Sequence, residues 1–204
     1  MFEWNDTVEG IREHFPLFDV EEVIKEKEDL NYDVFKDKNT GVKYVLSSTF
    51  LLTIKDKLKG RRYIARSIKS AAELSKKISL EKFEIERRYW ESKGIDWGII
   101  TQKEIPVTKV RNIEWVHSAL YTYKERGLSQ DNMAFLCRAF IERIEDSDEM
   151  IRTFINCFDK EYNLDTGTGL FIFKYLIASK IISVDMNKVI NMNDTLASIK
   201  ICEN

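Results

Sequence analysis

The chain has 204 residues, 44% hydrophobic and 32% charged, with a formal net charge of −2. That is enough apolar material for a real core in one large or two small domains. No apolar run approaches the ~18 residues that a membrane-spanning helix needs, and MFEWNDTVEG lacks the basic region and apolar run of a secretory signal. Cys137, Cys157 and Cys202 are odd in number and far apart, and His14 and His117 come without a CxxC, so reduced thiols, a cytoplasmic protein and no zinc are expected.

The net charge hides an uneven distribution. Met1 to Thr40 holds 12 Asp/Glu against 5 Lys/Arg, whereas Lys55 to Lys77 holds 9 Lys/Arg against 2 Asp/Glu. The basic part makes Lys55, Lys57, Lys59, Arg61, Arg62 and Arg66 candidate phosphate contacts, with a merely solvated basic surface as the alternative.

In chain order, Thr7 to Phe18 reads as an incomplete helix or an edge segment ending at Pro16, and Val20 to Asp29 as an acidic, exposed stretch. Asn39-Thr40-Gly41 signals a turn. Val42 to Ile54, apolar or β-branched almost throughout, then reads as a buried strand. Lys57 to Gly60 turns the chain, and Arg62 to Lys69 returns it as the second strand of a hairpin. Ala71 to Lys77 starts a helical region. Leu80 to Ile105 follows as one amphipathic helix, a glycine stop and one short buried strand; the helix has Ser79 as N-cap, Leu80, Phe83, Ile85, Tyr89 and Trp90 on its packed side, and Glu81, Lys82, Glu86 and Arg87 on the other. Gly94 stops it, and Trp97 to Thr101 has the composition of a central strand.

The stretch LEKFEIERRYWESKGIDWGIITQKEI with Asn112-Ile113-Glu114-Trp115, and the earlier IREHFPL at Ile11 to Leu17, resemble TnsA, the endonuclease subunit of heteromeric transposases. The resemblance covers most of the chain and implies a restriction-endonuclease-like fold, whose strand, strand, helix, strand order matches the elements above. In that fold a carboxylate on the first strand and an acid-or-Gln, any residue, Lys triplet on the second converge on a divalent metal. Hard cations take oxygen ligands, and the lysine stabilises negative charge or helps activate water. Carried over, the aspartate position is Thr49, the triplet is Ser67-Ile68-Lys69, and the upstream glutamate would precede Phe2-Glu3-Trp4. Lys69 is retained; Thr49 and Ser67 are degenerate positions whose hydroxyls compete poorly with water for Mg²⁺. Asp33, Asp37 and Asp56 are the nearest acids that could replace the lost ligands.

After Pro106 the elements are helical: Ile113 to Gly127, Met133 to Ile144 opened by Ser129 and Asp131, Met150 to Phe158, and an apolar helix from Leu170 to Ile182. Lys188 to Asp194 and Ala197 to Ile201 read as two short strands, and helices followed by a terminal hairpin form the pattern of a winged helix. Leu128 to Asp165 holds 9 Asp/Glu against 4 Lys/Arg, and the candidate recognition helix shows only Lys174 and Lys180, which favours protein docking over DNA reading. The resemblance agrees, since the C-terminal region of TnsA is associated with its ATPase partner TnsC. Gly167-Thr168-Gly169 lacks the lysine of a P-loop, and no Ser-His-Asp arrangement is identifiable.

The expected fold is α/β (α+β), with a restriction-endonuclease-like domain over residues 1–106, shortened at its start, and a winged-helix-like domain over 107–204. By its resemblance the protein is expected to be a nuclease-deficient assembly subunit without cofactor. Its expected partners are a TnsB-like transposase, a TnsC-like ATPase, transposon-end DNA and an active TnsA homologue. The alternatives are an active Mg²⁺-dependent endonuclease with relocated acids, or a DNA-binding regulator.

Overall fold

The computed structural model describes residues 1–26, 28–56, 58, 60–145 and 147–202. The chain divides into two units, Met1–Ile105 and Pro106–Asn204.

Unit 1 is built on a four-stranded sheet in the order β1 (Val8–Pro16), β2 (Ser47–Asp56), β3 (Gly60–Ile68), β4 (Asp96–Ile100). β1 to β3 pair antiparallel and β4 runs parallel to β3. A parallel neighbour needs a crossover, which α2 (Lys77–Ser92) supplies. Its end is a Schellman stop: Gly94 adopts φ +66° while Gly94 N–H bonds Glu91 O at 2.9 Å and Ile95 N–H bonds Trp90 O at 2.8 Å. The register places Leu51 opposite Ala65, and both pack with Ile85, Tyr89 and Trp90 of α2. Burying each large apolar side chain in such a layer contributes about 2 kcal/mol.

Several expectations about unit 1 shift. Thr7 to Phe18 resolves as the edge strand β1. The stretch after it is not simply exposed: Val20 of the short helix α1 (Val20–Val23) and Ile24 beyond it enter the core with Leu17. The first hairpin strand starts at Ser47, because Lys36 to Tyr44 forms its own small turn. There Asp37 Oδ1 accepts from the Asn39 and Thr40 N–H groups at 3.0 and 2.8 Å, and Tyr44 N–H bonds Phe35 O at 2.8 Å. Ser79 is not the N-cap of α2. Ser79 and Leu80 both donate to Lys76 O, so the helix has already begun, and the Ser70–Glu73 capping box serves the preceding turn, Ala71–Ser75.

Unit 2 packs α3 (Val107–His117), α4 (Gln130–Glu145), α5 (Ile151–Glu161) and α6 (Thr168–Ala178), with β5 (Ile182–Ser183) pairing β6 (Lys200–Ile201). Its centre is aromatic: Phe140 meets Phe154 and Phe158 edge-on at 4.8 and 4.9 Å between centroids. The apolar helix α6 is buried through Phe171, Ile172, Phe173, Leu176 and Ile177. It opens on Asp159, whose carboxyl accepts from Gly167 N–H at 2.7 Å and Gly169 N–H at 2.5 Å. The helix expected from Ile113 to Gly127 ends at His117 and continues as two 3₁₀ turns, Ser118–Leu120 and Lys124–Arg126. The strand expected over Lys188 to Asp194 is absent. Buried Asn112 holds that segment instead, donating to Met186 O and Lys188 O at 2.9 and 2.6 Å.

Candidate functional site

The carried-over positions lie where the sheet comes apart. Regular pairing of β2 with β3 runs only to Phe50↔Arg66; one step further, the Thr49 hydroxyl accepts the Ile68 N–H at 3.0 Å in place of a ladder carbonyl. On the other side of β2, the register between Glu13↔Phe50 and Phe15↔Ser48 sets His14 opposite Thr49, and His14 takes a left-handed φ of +47°. Thr49 therefore sits at a break in both neighbouring ladders.

Ser67 is 1% exposed and turns its hydroxyl toward α2, where it donates to Glu86 Oε2. Ser48 donates to the same oxygen at 2.7 Å and itself accepts from Trp90 Nε1 at 2.8 Å; Trp97 Nε1 approaches that oxygen at 3.4 Å. The other oxygen, Oε1, has no hydrogen bond and faces Lys82 Nζ at 3.5 Å. Glu86 is thus a fully buried acid held by hydroxyls and one ammonium, rather than a member of the solvated side of its helix. A signal for this was available: Glu86 lies three residues from both Phe83 and Tyr89 and four from Trp90, which is apolar-face spacing.

These donors do not make a Mg²⁺ site. The Thr49 and Ser67 oxygens are neutral and engaged in protein hydrogen bonds, and the one buried carboxyl beside them spends Oε2 on several donors. Among the described residues no group of three or more His, Cys, Asp or Glu could hold a metal ion. Lys69, which follows β3, bonds Ile100 O through its N–H and pairs with Glu73 at 3.8 Å. The nearest acids in sequence are engaged locally. Asp33 binds Lys36 at 2.9 Å, Asp37 organises the Asn39 turn, and Asp56 closes the hairpin through Leu58 N–H at 2.8 Å.

The candidate phosphate contacts carry their own anions. Glu9 faces Arg61 at 2.5 Å and Lys55 at 3.9 Å, Asp56 faces Arg62 at 3.9 Å, and Asp96 faces Arg66 at 2.6 Å. Lys57 and Lys59 lie outside the described residues.

The strand, strand, helix, strand frame defines a protein of the restriction-endonuclease-like class, followed by a helical second unit. Residues 5–102 match the family described as "TnsA-like endonuclease N terminal", and residues 104–186 match "TnsA endonuclease C terminal". The chain is 35% identical over 194 residues to "Transposon Tn7 transposition protein TnsA" of Escherichia coli, covering 94% of this chain and 67% of that protein. The chain belongs to the TnsA family.

Proposed function

We propose that this chain is a nuclease-deficient TnsA-like transposition subunit, which keeps the family's assembly role and has lost strand cleavage. One observation carries the reading: the positions that resemblance assigns to metal ligands are Thr49 and Ser67, and both hydroxyls are committed to hydrogen bonds within the protein. Mg²⁺ dehydrates reluctantly and needs anionic oxygens to repay its lost water. The proposed partners are a TnsB-like transposase, a TnsC-like ATPase and transposon-end DNA, within a bacterial cytoplasm. Cleavage of the 5′ ends is either supplied by an active homologue or not used by the element.

The test is a nicking assay on supercoiled and end-containing DNA with Mg²⁺ or Mn²⁺, with and without the partner transposase. Retention of end DNA without nicking is the expected result. Nicking that Lys69→Ala abolishes would overturn the reading and favour an active enzyme with relocated acids.

A further inference from the structure

Three exposed apolar side chains of unit 1 converge on one groove. Phe18, in the turn after β1, is 79% exposed, and Tyr44 and Val45, on the segment leading into β2, are 57% and 58% exposed. All three line a groove of about 280 Å³, with the buried Leu17 and Val20 on its core side. The main chain ties its two banks together, since Leu17 N–H bonds Leu46 O at 2.8 Å. Exposed apolar side chains scattered singly need no explanation, whereas three around one framed concavity mark a contact site. A groove of this size admits one large side chain and falls short of the cavities of about 300–1,000 Å³ that enclose whole ligands.

The groove is edged with acid. From Asp19 to Asp29 the chain carries Asp19, Glu21, Glu22, Glu26, Glu28 and Asp29 against Lys25 and Lys27. Part of this charge is answered within the protein: Lys93 holds Asp19 at 2.8 Å, Lys43 pairs with Glu21, and Arg88 holds Asp29 at 2.6 Å. Glu22 and Glu26 are exposed, and among the described residues neither forms an ion pair; Lys25, between them in sequence, joins neither. Glu22 lines the groove itself, and Glu26 lines a second hollow, of about 790 Å³, that the same segment makes against α2. The cations of that hollow on α2, Arg87 and Arg88, are already engaged by Glu84, Glu91 and Asp29.

We propose that this groove is a docking site for a cationic segment of a partner protein. One aromatic or large aliphatic side chain of that segment enters between Phe18 and Val45, and flanking Lys or Arg residues run along Glu22 and Glu26. Charge decides among the occupants. Nucleic acid phosphates are repelled by the acidic edge. A second copy of the chain, docked about a two-fold axis, would set this edge against itself. A basic segment with an apolar anchor instead covers the exposed rings and supplies the counter-ions that Glu22 and Glu26 lack. Whether the chain cuts DNA has no bearing on this surface, so a nicking result of either sign leaves the proposal standing.

The test pans a random-peptide phage library against the full chain and counter-selects on Phe18→Ser/Val45→Ser, a change confined to exposed positions. The enriched peptides should share an aromatic or large aliphatic residue flanked by Lys or Arg. Resynthesised with fluorescein and titrated by anisotropy, they should bind Phe18→Ser/Val45→Ser roughly tenfold more weakly than the wild type, because apolar contact is lost. Glu22→Lys/Glu26→Lys keeps the apolar lining and should also weaken them roughly tenfold, with a flatter dependence on salt. A merely solvated acidic edge would show no such loss. The proposal is overturned if no peptide is enriched, if the enriched peptides lack basic residues, or if either variant binds them with wild-type affinity. It is also overturned if sedimentation shows a dimer that Phe18→Ser/Val45→Ser dissociates, which would give the groove to a second copy.

Discussion

Glu86→Ala isolates the feature on which the nuclease frame closes. The change removes the acceptor of Ser48, at 2.7 Å, and of Ser67, in a place where Glu86 and Ser48 are 0% exposed and Ser67 is 1% exposed. Two stranded hydroxyls cost about 1 kcal/mol each, and the void left beside Ile85 and Trp90 about 1 kcal/mol more. Release of a buried acid from its desolvation returns part of that, so a net loss of about 2 kcal/mol is expected. Glu86→Gln keeps a carbonyl oxygen for the serines and should cost about half as much. Urea unfolding followed by tryptophan emission reads both variants, since Trp90 is 1% exposed and donates to Ser48. An alanine variant within about 0.5 kcal/mol of wild type would refute the argument. A second arm adds Mg²⁺: a site with a dissociation constant of about 1 mM would stabilise the fold by about 1.4 kcal/mol at roughly 10 mM metal. No such shift is expected. A shift in the wild type that is lost in Glu86→Gln would show that the buried acid binds metal.

Further outcomes follow from particular contacts. Asp159→Ala removes the acceptor of the Gly167 and Gly169 N–H groups and should cost about 2 kcal/mol by thermal melting. Gly169→Ala should destabilise too, because its Cβ would lie 3.0 Å from the carbonyl oxygen of Ile155, part of the helical backbone of α5. His14→Gly should be neutral or stabilising by about 0.5 kcal/mol, since glycine adopts φ +47° without the Cβ penalty; a loss above about 1 kcal/mol would mean the imidazole packs. Hydrogen bonds from Arg87 and then Arg88 hold the Glu84 carboxyl at about 2, below its usual 4.5. The folded pKa is depressed, so this stabilisation is complete above about pH 4.5 and fades as pH falls toward 2. Glu84 is 35% exposed in its side chain, which limits the effect to under about 1 kcal/mol. The midpoint difference between wild type and Glu84→Gln should therefore shrink between pH 5 and about pH 2.5.

The α2–β4 unit was legible in the sequence because each local signal pointed the same way: apolar spacing from Phe83 to Trp90, Gly94 at the one left-handed position, and a β-rich run after it. The irregular course of Lys188 to Asp194 was not legible. Val189 and Ile190 look like strand residues, yet a side chain distant in sequence, Asn112, takes the Met186 and Lys188 carbonyls and leaves no ladder to form. The same kind of long-range event hid Glu86. Composition assigned it to a solvated side among Glu81, Lys82 and Arg87, whereas Ser48 and Ser67, from two strands, make its burial affordable.

The pairing of a kept frame with lost ligands has a physical logic within the proposed role. A buried acid beside diverging strands needs positive charge or donors to offset its desolvation. In the proposed pseudoenzyme that demand is met from within: Ser67, at the triplet's first position, turns its hydroxyl to Glu86, Ser48 adds a second, and Lys82 faces the remaining oxygen. Thr49 meanwhile closes the gap toward β3 through Ile68 N–H. Restoring single ligands should therefore not restore a nuclease. Thr49→Asp would set a charge where a backbone N–H needs one acceptor, and Ser67→Gln would force a longer side chain into a position 1% exposed, removing a donor from Glu86. The double variant is expected to be less stable by about 2 kcal/mol in urea and still inactive with Mn²⁺. Nicking by that variant would mean that the frame had remained a poised metal site.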